Sequence, residues 1–130
     1  MSNNGGASAD FWTGFMEPLA RVLIALIFLV SGAGKIFNFG ATRAYLAGYG
    51  VPAASAAAAL AVSVEFLGGL SLLAGVKAAW GAKTLLIFLV AATLTFHARF
   101  SETFQTLMFL KNMGILGGLL YVISAEDDSP

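Results

Sequence analysis

The chain has 130 residues, 58% of them hydrophobic and only 11% charged, and its mean hydropathy is +0.84. A soluble domain covers its surface with charge, about a quarter of its residues on average, so water is not the main solvent of this protein. Seven basic and seven acidic residues cancel, and no basic run could track a phosphate backbone, which excludes nucleic acid as a partner.

The opening, Met1 to Asp10, is small and polar without a basic stretch, so it does not read as a cleavable secretory signal, and the first apolar segment is expected to stay as an anchor. A polar segment is expected over 1–18, followed by a four-helix transmembrane domain over 19–124 and an acidic tail over 125–130. Each apolar stretch is close to the roughly 20 residues a helix needs to cross the hydrocarbon core.

The first span is expected from Leu19 to Asn38, entered through Pro18, whose missing N–H suits the first turn of a helix. Arg21 falls in its first turn and Lys35 near its last. From Asn38 to Val51, Thr42, Arg43, Tyr45, Leu46 and Tyr49 mix aromatic, apolar and basic groups, which suggests a short interfacial helix with Tyr45 and Tyr49 one turn apart at headgroup level. The second span follows Pro52, from Ala53 to Val76, with Glu65 near its middle. A tight connection carrying Gly75, Lys77 and Trp80 leads to the third span, Ala79 to His97, which ends where His97 and Arg99 appear. The fourth runs from Thr106 to Ser124, contains Lys111 and Asn112, and gives way to Glu126, Asp127 and Asp128.

The fold class that follows is an all-α membrane protein, a four-transmembrane-helix bundle of up-down-up-down topology with a short interfacial helix between spans one and two. Four spans put both termini, Lys77 and Lys83 on one side, and Arg43 and Arg99 on the other. Crediting Arg21 to the terminal side tilts the positive-inside rule toward cytoplasmic termini. Gly32, Gly68, Gly69, Gly114, Gly117 and Gly118, with the alanine run 56–59, allow helix backbones to approach closely. The alternative is that these glycines leave room for a flat ligand.

Ionisable groups inside apolar spans are the candidates for function, because a charge in lipid costs from about 2.5 kcal/mol upward. Glu65 is too deep to reach the interface and requires a cation or strong donors beside it. A rise of about 1.5 Å per residue places Lys35, His97, Lys111 and Asn112 toward one membrane face, where a long lysine side chain could meet Glu65 from above. Arg21 belongs to the opposite face and is expected to snorkel into headgroups. The cluster is either a network that holds four helices in register or the polar end of a pocket. A cavity beside it, or its absence, separates the two.

Several chemistries are removed by counting. With one histidine and no cysteine, the chain cannot supply both axial ligands of a membrane b-type haem, a thiolate metal site or an iron–sulfur cluster. No His/Asp/Glu set has metal spacing, and no G-x-G-x-x-G, P-loop or nucleophile elbow occurs. What fits is a neutral, lipid-soluble molecule such as a quinone, held in an apolar slot by a few polar groups, with Glu65 or His97 passing protons.

The runs RVLIALIFLVSGAGKIFNF, VEFLGGLSLLAG, HARF and FLKNMGILGGLL, in this order and spacing, resemble the DoxX family of small four-helix membrane proteins from Arg21 to about Val122. The resemblance rests on Arg21, Gly32, Lys35, Glu65, Gly69, His97, Asn112 and Gly118. It implies a bacterial inner membrane and a role associated with oxidoreductases, since members include membrane subunits of thiosulfate:quinone oxidoreductase. Catalysis does not transfer with a fold, and a subunit without cofactor ligands needs a partner chain. The competing reading is a non-catalytic accessory subunit that packs against a larger respiratory or photosynthetic complex. A small transporter or channel is disfavoured, because 130 residues provide repeats and broken helices only by oligomerising. A homo-oligomer is allowed, of a size the sequence does not set.

Overall fold

A long apolar stretch in lipid must satisfy its own backbone, and helices do so within one segment. The computed structural model describes residues 4–97 and 101–127. It contains five helices: α1 Asn4–Phe37, α2 Phe39–Gly48, α3 Ala54–Ala74, α4 Ala78–Phe96 and α5 Thr103–Asp127. Helices α1, α3, α4 and α5 are each long and apolar enough to cross a membrane. The ten residues of α2 are not, and none of its side chains is buried. Arg99 and Asp128 lie outside the described residues.

The four long helices form a ring in which α1 packs on α3, α3 on α4, α4 on α5 and α5 on α1, and among the described residues the backbones do not approach across either diagonal. Each neighbouring pair is antiparallel, as the expected topology requires. Ala25, Phe28, Leu72, Leu85 and Leu119 fill the centre, and large side chains such as Leu23, Leu67, Ile87 and Leu120 point outward toward lipid.

Close approach of backbones depends on particular glycines. A Cβ on Gly68 would lie 2.6 Å from Leu85 Cγ, one on Gly69 2.9 Å from Leu29, and one on Gly32 2.9 Å from the Phe66 ring. Gly118 is less tight, 3.1 Å from Ile24 Cδ1. At Gly114 and Gly117 a Cβ would meet nothing within 4 Å, so these two do not pack against another helix of this bundle. Their side of α5 faces away from α1 and α4. Gly81, not among the expected packing glycines, is needed instead, since its Cβ would fall 2.5 Å from Ser71 Oγ.

The connection from α3 to α4 is three residues long because Gly75 (φ 72) and Lys77 (φ 51) both adopt the left-handed conformation. The Ser71 hydroxyl donates to the carbonyls of Val76 and Lys77 and closes the turn.

Helix α1 departs from expectation. It does not start at Pro18 but at Asn4, and Pro18 lies within its 34 residues. An interior proline costs one backbone hydrogen bond and crowds the carbonyl four residues back, roughly 3 kcal/mol. Here that carbonyl belongs to Gly14, where a Cβ would meet nothing within 4 Å. The segment before Pro18 is also less polar than expected, since Phe11, Trp12, Phe15 and Met16 are exposed on it and the first three stack edge to face. At the other terminus α5 continues through Ala125 and Glu126 as helix before the chain leaves the described residues.

These contacts lead to a contrast between glycines. Gly68→Ala should destabilise the detergent-solubilised protein by about 1–3 kcal/mol through overpacking against Leu85. Gly117→Ala should be neutral or gain up to about 1 kcal/mol of helix propensity. Reversible unfolding in mixed micelles measures both.

Candidate functional site

The site begins at the level where α1 and α3 touch. A Cβ on Gly32 would come within 3.4 Å of Glu65 Cβ, which fixes the depth of the carboxylate relative to α1. From there α1 ends at Phe37, about 8 Å further along its axis, whereas α3 extends back to Ala54, about 16 Å. Helix α2 packs across the difference against α3 and α1. The early end of α1 leaves a space beneath α2, a cavity of about 430 Å³, within the range of ~300–1,000 Å³ usual for small-molecule sites.

Lys35, Glu65, His97, Lys111 and Asn112 all line this cavity. Its walls are otherwise mostly apolar, with Ile27, Phe28, Phe88, Leu89 and Ile115 among them. The polar cluster therefore opens onto space and is not sealed between helices.

Glu65 is 3% exposed in its side chain and pairs with Lys35, whose Nζ donates to Oε1 at 2.7 Å. The same ammonium donates to Ser31 Oγ at 2.7 Å, one turn back on α1. Glu65 Oε2 is buried and has no hydrogen-bond partner among the described residues. A carboxylate oxygen without a donor in a low-dielectric setting is costly, on the order of 1–3 kcal/mol or more.

Lys111 lines the cavity but does not reach Glu65; its side chain is exposed and pairs with no described residue. The reason lies in helix polarity. Side chains lean toward the N-terminus of their own helix. Helix α1 runs toward the cavity face, so Lys35 leans inward to Glu65, whereas α5 starts at that face and Lys111 leans outward.

The other polar groups tie helices together. Asn112, buried on α5, donates from Nδ2 to Thr93 Oγ1 at 3.0 Å, and the Thr93 hydroxyl donates to Leu89 O at 2.6 Å. His97 caps α4 and meets Gln105 Oε1 on α5 through Nδ1 at 2.8 Å. Because that amide oxygen is an acceptor, Nδ1 is the donor of this contact, and in the neutral ring Nε2 is then the acceptor nitrogen. Sequence reasoning missed Ser31, Thr93 and Gln105. Only the i, i+4 spacing of Ser31 and Lys35 carried any signal.

Above the polar groups, Tyr45 and Tyr49 of the α2 end meet Phe96 of α4, with ring centroids 4.9–5.2 Å apart. Tyr45 and Phe96 also line the cavity. Partial desolvation first, then the hydrogen bond and charge of Tyr49, push the Tyr45 phenol from 10.0 up to about 12.

At the opposite end of the bundle Arg21 does not snorkel. Its Nε lies 3.5 Å from Glu126 Oε1 of α5, and one terminal nitrogen donates to Leu72 O of α3 at 3.3 Å. The guanidinium occupies the space that a side chain on Gly75 would take. A headgroup-facing arginine is replaced by one that joins three helices, because Glu126 is still helical there and faces it.

The site and the fold can be set beside known proteins. A profile of the DoxX family matches residues 18–98. The chain belongs to the DoxX family. The matched part of this DoxX protein carries Lys35, Glu65 and His97, while Lys111 and Asn112 lie beyond it on α5. The chain is also similar to Inner membrane protein YqjF of Escherichia coli (strain K12), 35% identical over 102 residues that cover 78% of this chain and 77% of that protein. No solved structure matches. The four spans and this similarity describe a multi-pass protein of the bacterial inner membrane. Among the described residues, no three His, Asp or Glu side chains gather as metal ligands do.

The ion pair can be tested by a mutant cycle. Lys35→Met should cost about 3–5 kcal/mol by leaving Glu65 alone, and the double variant Lys35→Met/Glu65→Gln should recover most of it. Equilibrium unfolding in micelles gives both values.

Tyr45 offers a test by pH. Its phenol ionises less readily folded than unfolded, so its contribution to stability is complete below pH 10 and is lost as pH rises through about 12. Tyr45→Phe should flatten the decline of Tm with pH across that window.

Proposed function

We propose that this DoxX protein is a membrane subunit of a quinone-linked redox complex, with the cavity beneath α2 as the quinone site and both termini on the cytoplasmic side. The observation that carries the reading is that the Lys35–Glu65 pair opens onto an apolar cavity of about 430 Å³. A network needed only for register gains nothing from that space, whereas a lipid-soluble carbonyl compound needs such a slot with a few polar groups at its end.

Conversion of a quinone to its hydroquinone takes two electrons and two protons. One histidine and no cysteine assign the electrons to carriers of a partner chain. The residues of this chain bind the ring, orient it and handle protons. Glu65 and His97 both line the cavity and are the groups able to accept and pass a proton. Lys35 keeps the Glu65 carboxylate in place through Oε1.

A second reading, that of an accessory subunit packing against a larger assembly, draws on Gly114 and Gly117. Their open side of α5 suits a helix of another subunit or of a second copy of this chain.

Decylubiquinone should bind the protein in nanodiscs above the level of protein-free discs, and Ala61→Phe, which fills the cavity from α3, should abolish that excess. In membranes holding its partner, Glu65→Gln should eliminate quinone-linked electron transfer while the protein stays inserted. Absence of binding together with an unchanged Glu65→Gln variant would leave the accessory reading in its place.

A further inference from the structure

The Glu65 carboxylate is divided in its function. Oε1 accepts from Lys35 at 2.7 Å, while Oε2, on a side chain only 3% exposed, has no donor, and the residue lines the cavity. As the anionic half of an ion pair, a carboxylate accepts hydrogen bonds and donates none. A buried acceptor of this kind selects a ligand that brings a hydrogen to it, because a ligand with only acceptors would face it with repulsion and leave it unsatisfied.

His97 adds a second acceptor. Its Nδ1 faces the acceptor Gln105 Oε1, so in the neutral imidazole the nitrogen left for a ligand is Nε2, an acceptor. The donors at the cavity do not discriminate in the opposite sense. Lys35 spends two of its N–H groups on Ser31 and Glu65, and an N–H of Lys111 is accepted equally by a hydroxyl or a carbonyl oxygen.

We infer that the cavity is specific for the hydroxyl form of its ligand, a hydroquinone whose O–H donates to Glu65 Oε2, over the corresponding quinone. This rests on the quinone-site reading and adds to it which redox form the protein holds. Unequal binding of the two forms displaces the potential of the bound couple. A tenfold preference for the reduced form raises the midpoint by about 30 mV for a two-electron couple. The site thus makes its bound quinone a better oxidant and retains the reduced product until its protons can leave.

The test uses the full chain in nanodiscs under anaerobic conditions, with decylubiquinone, decylubiquinol and the dimethyl ether of decylubiquinol as probes and protein-free discs as reference. The quinol should bind at least about tenfold more tightly than the quinone. The dimethyl ether, which has lost both donors, should show no such advantage. Glu65→Gln turns an amide N–H₂ toward the ligand in place of Oε2 and should abolish or invert the preference. Lys35→Met/Glu65→Gln, which leaves no charge unmatched, should lose it as well and covers the case in which the single variant does not fold.

Quinone and quinol binding with equal strength, or the quinone binding more tightly, would overturn the inference and leave the quinone site standing. A quinol preference that persists in the double variant would also overturn it, since Glu65 would not be its source. Failure of all three probes to exceed the protein-free discs would remove the quinone site and the preference together.

Discussion

The arrangement depends on one ion pair held within an apolar bundle. An ionised carboxylate in hydrocarbon is too costly to remain without a cation. The Lys35–Glu65 pair therefore ties the register of α1 to that of α3, since sliding either helix by one turn would separate the charges. Gly32 makes the pairing geometrically feasible by letting α1 approach the Glu65 backbone. Lys35, held in turn by Ser31 one turn back on α1, then binds one carboxylate oxygen and leaves the other without a donor among the described residues.

The remaining helices are positioned by smaller devices of the same kind. Glycine at 68, 69 and 81 removes the volume that would hold α3 away from α1 and α4. Asn112 and Thr93 link α5 to α4 within the apolar interior, where an amide without a partner would be destabilising. His97 and Gln105 repeat that link at the end of α4. Three helices reach the cavity face at greater length than α1, and the short α2 with its aromatic contacts to α4 roofs what α1 leaves open.

Much of this was legible in the sequence, for reasons that differ by element. The four spans and the interfacial helix follow from runs of apolar residues and from the position of Tyr45 and Tyr49, because lipid imposes length and composition directly. The depth of Lys35, Glu65, His97, Lys111 and Asn112 follows from rise per residue, which is why all five line one cavity. Which lysine pairs with Glu65 was not readable from depth alone; the lean of side chains along opposed helices selects Lys35. Pro18 points to a helix start because proline suits a first turn, yet an apolar helix also tolerates it in its interior, and α1 continues on both sides of it. Gly114 and Gly117 were grouped with packing glycines by spacing, yet spacing does not say which side of α5 meets a neighbour. The Arg21–Glu126 contact is not legible in the sequence, because the acidic residues after Ser124 look like a tail and nothing in their composition shows that α5 continues as helix through Glu126.

Two ionic contacts on α1 stand toward opposite ends of the bundle, Lys35 with Glu65 and Arg21 with Glu126. Fourteen residues of helix separate the two basic groups, about 21 Å of rise, and the side chains between them in the interior, Ala25, Phe28, Leu72, Leu85 and Leu119, offer no hydrogen-bonding group. The interior at this level is thus an apolar barrier between the cavity at one end and a smaller pocket beside Arg21 and Glu126 at the other. On the proposed quinone role, protons handled at Glu65 pass through the cavity face, so the direction in which the protein is inserted sets which aqueous compartment they come from.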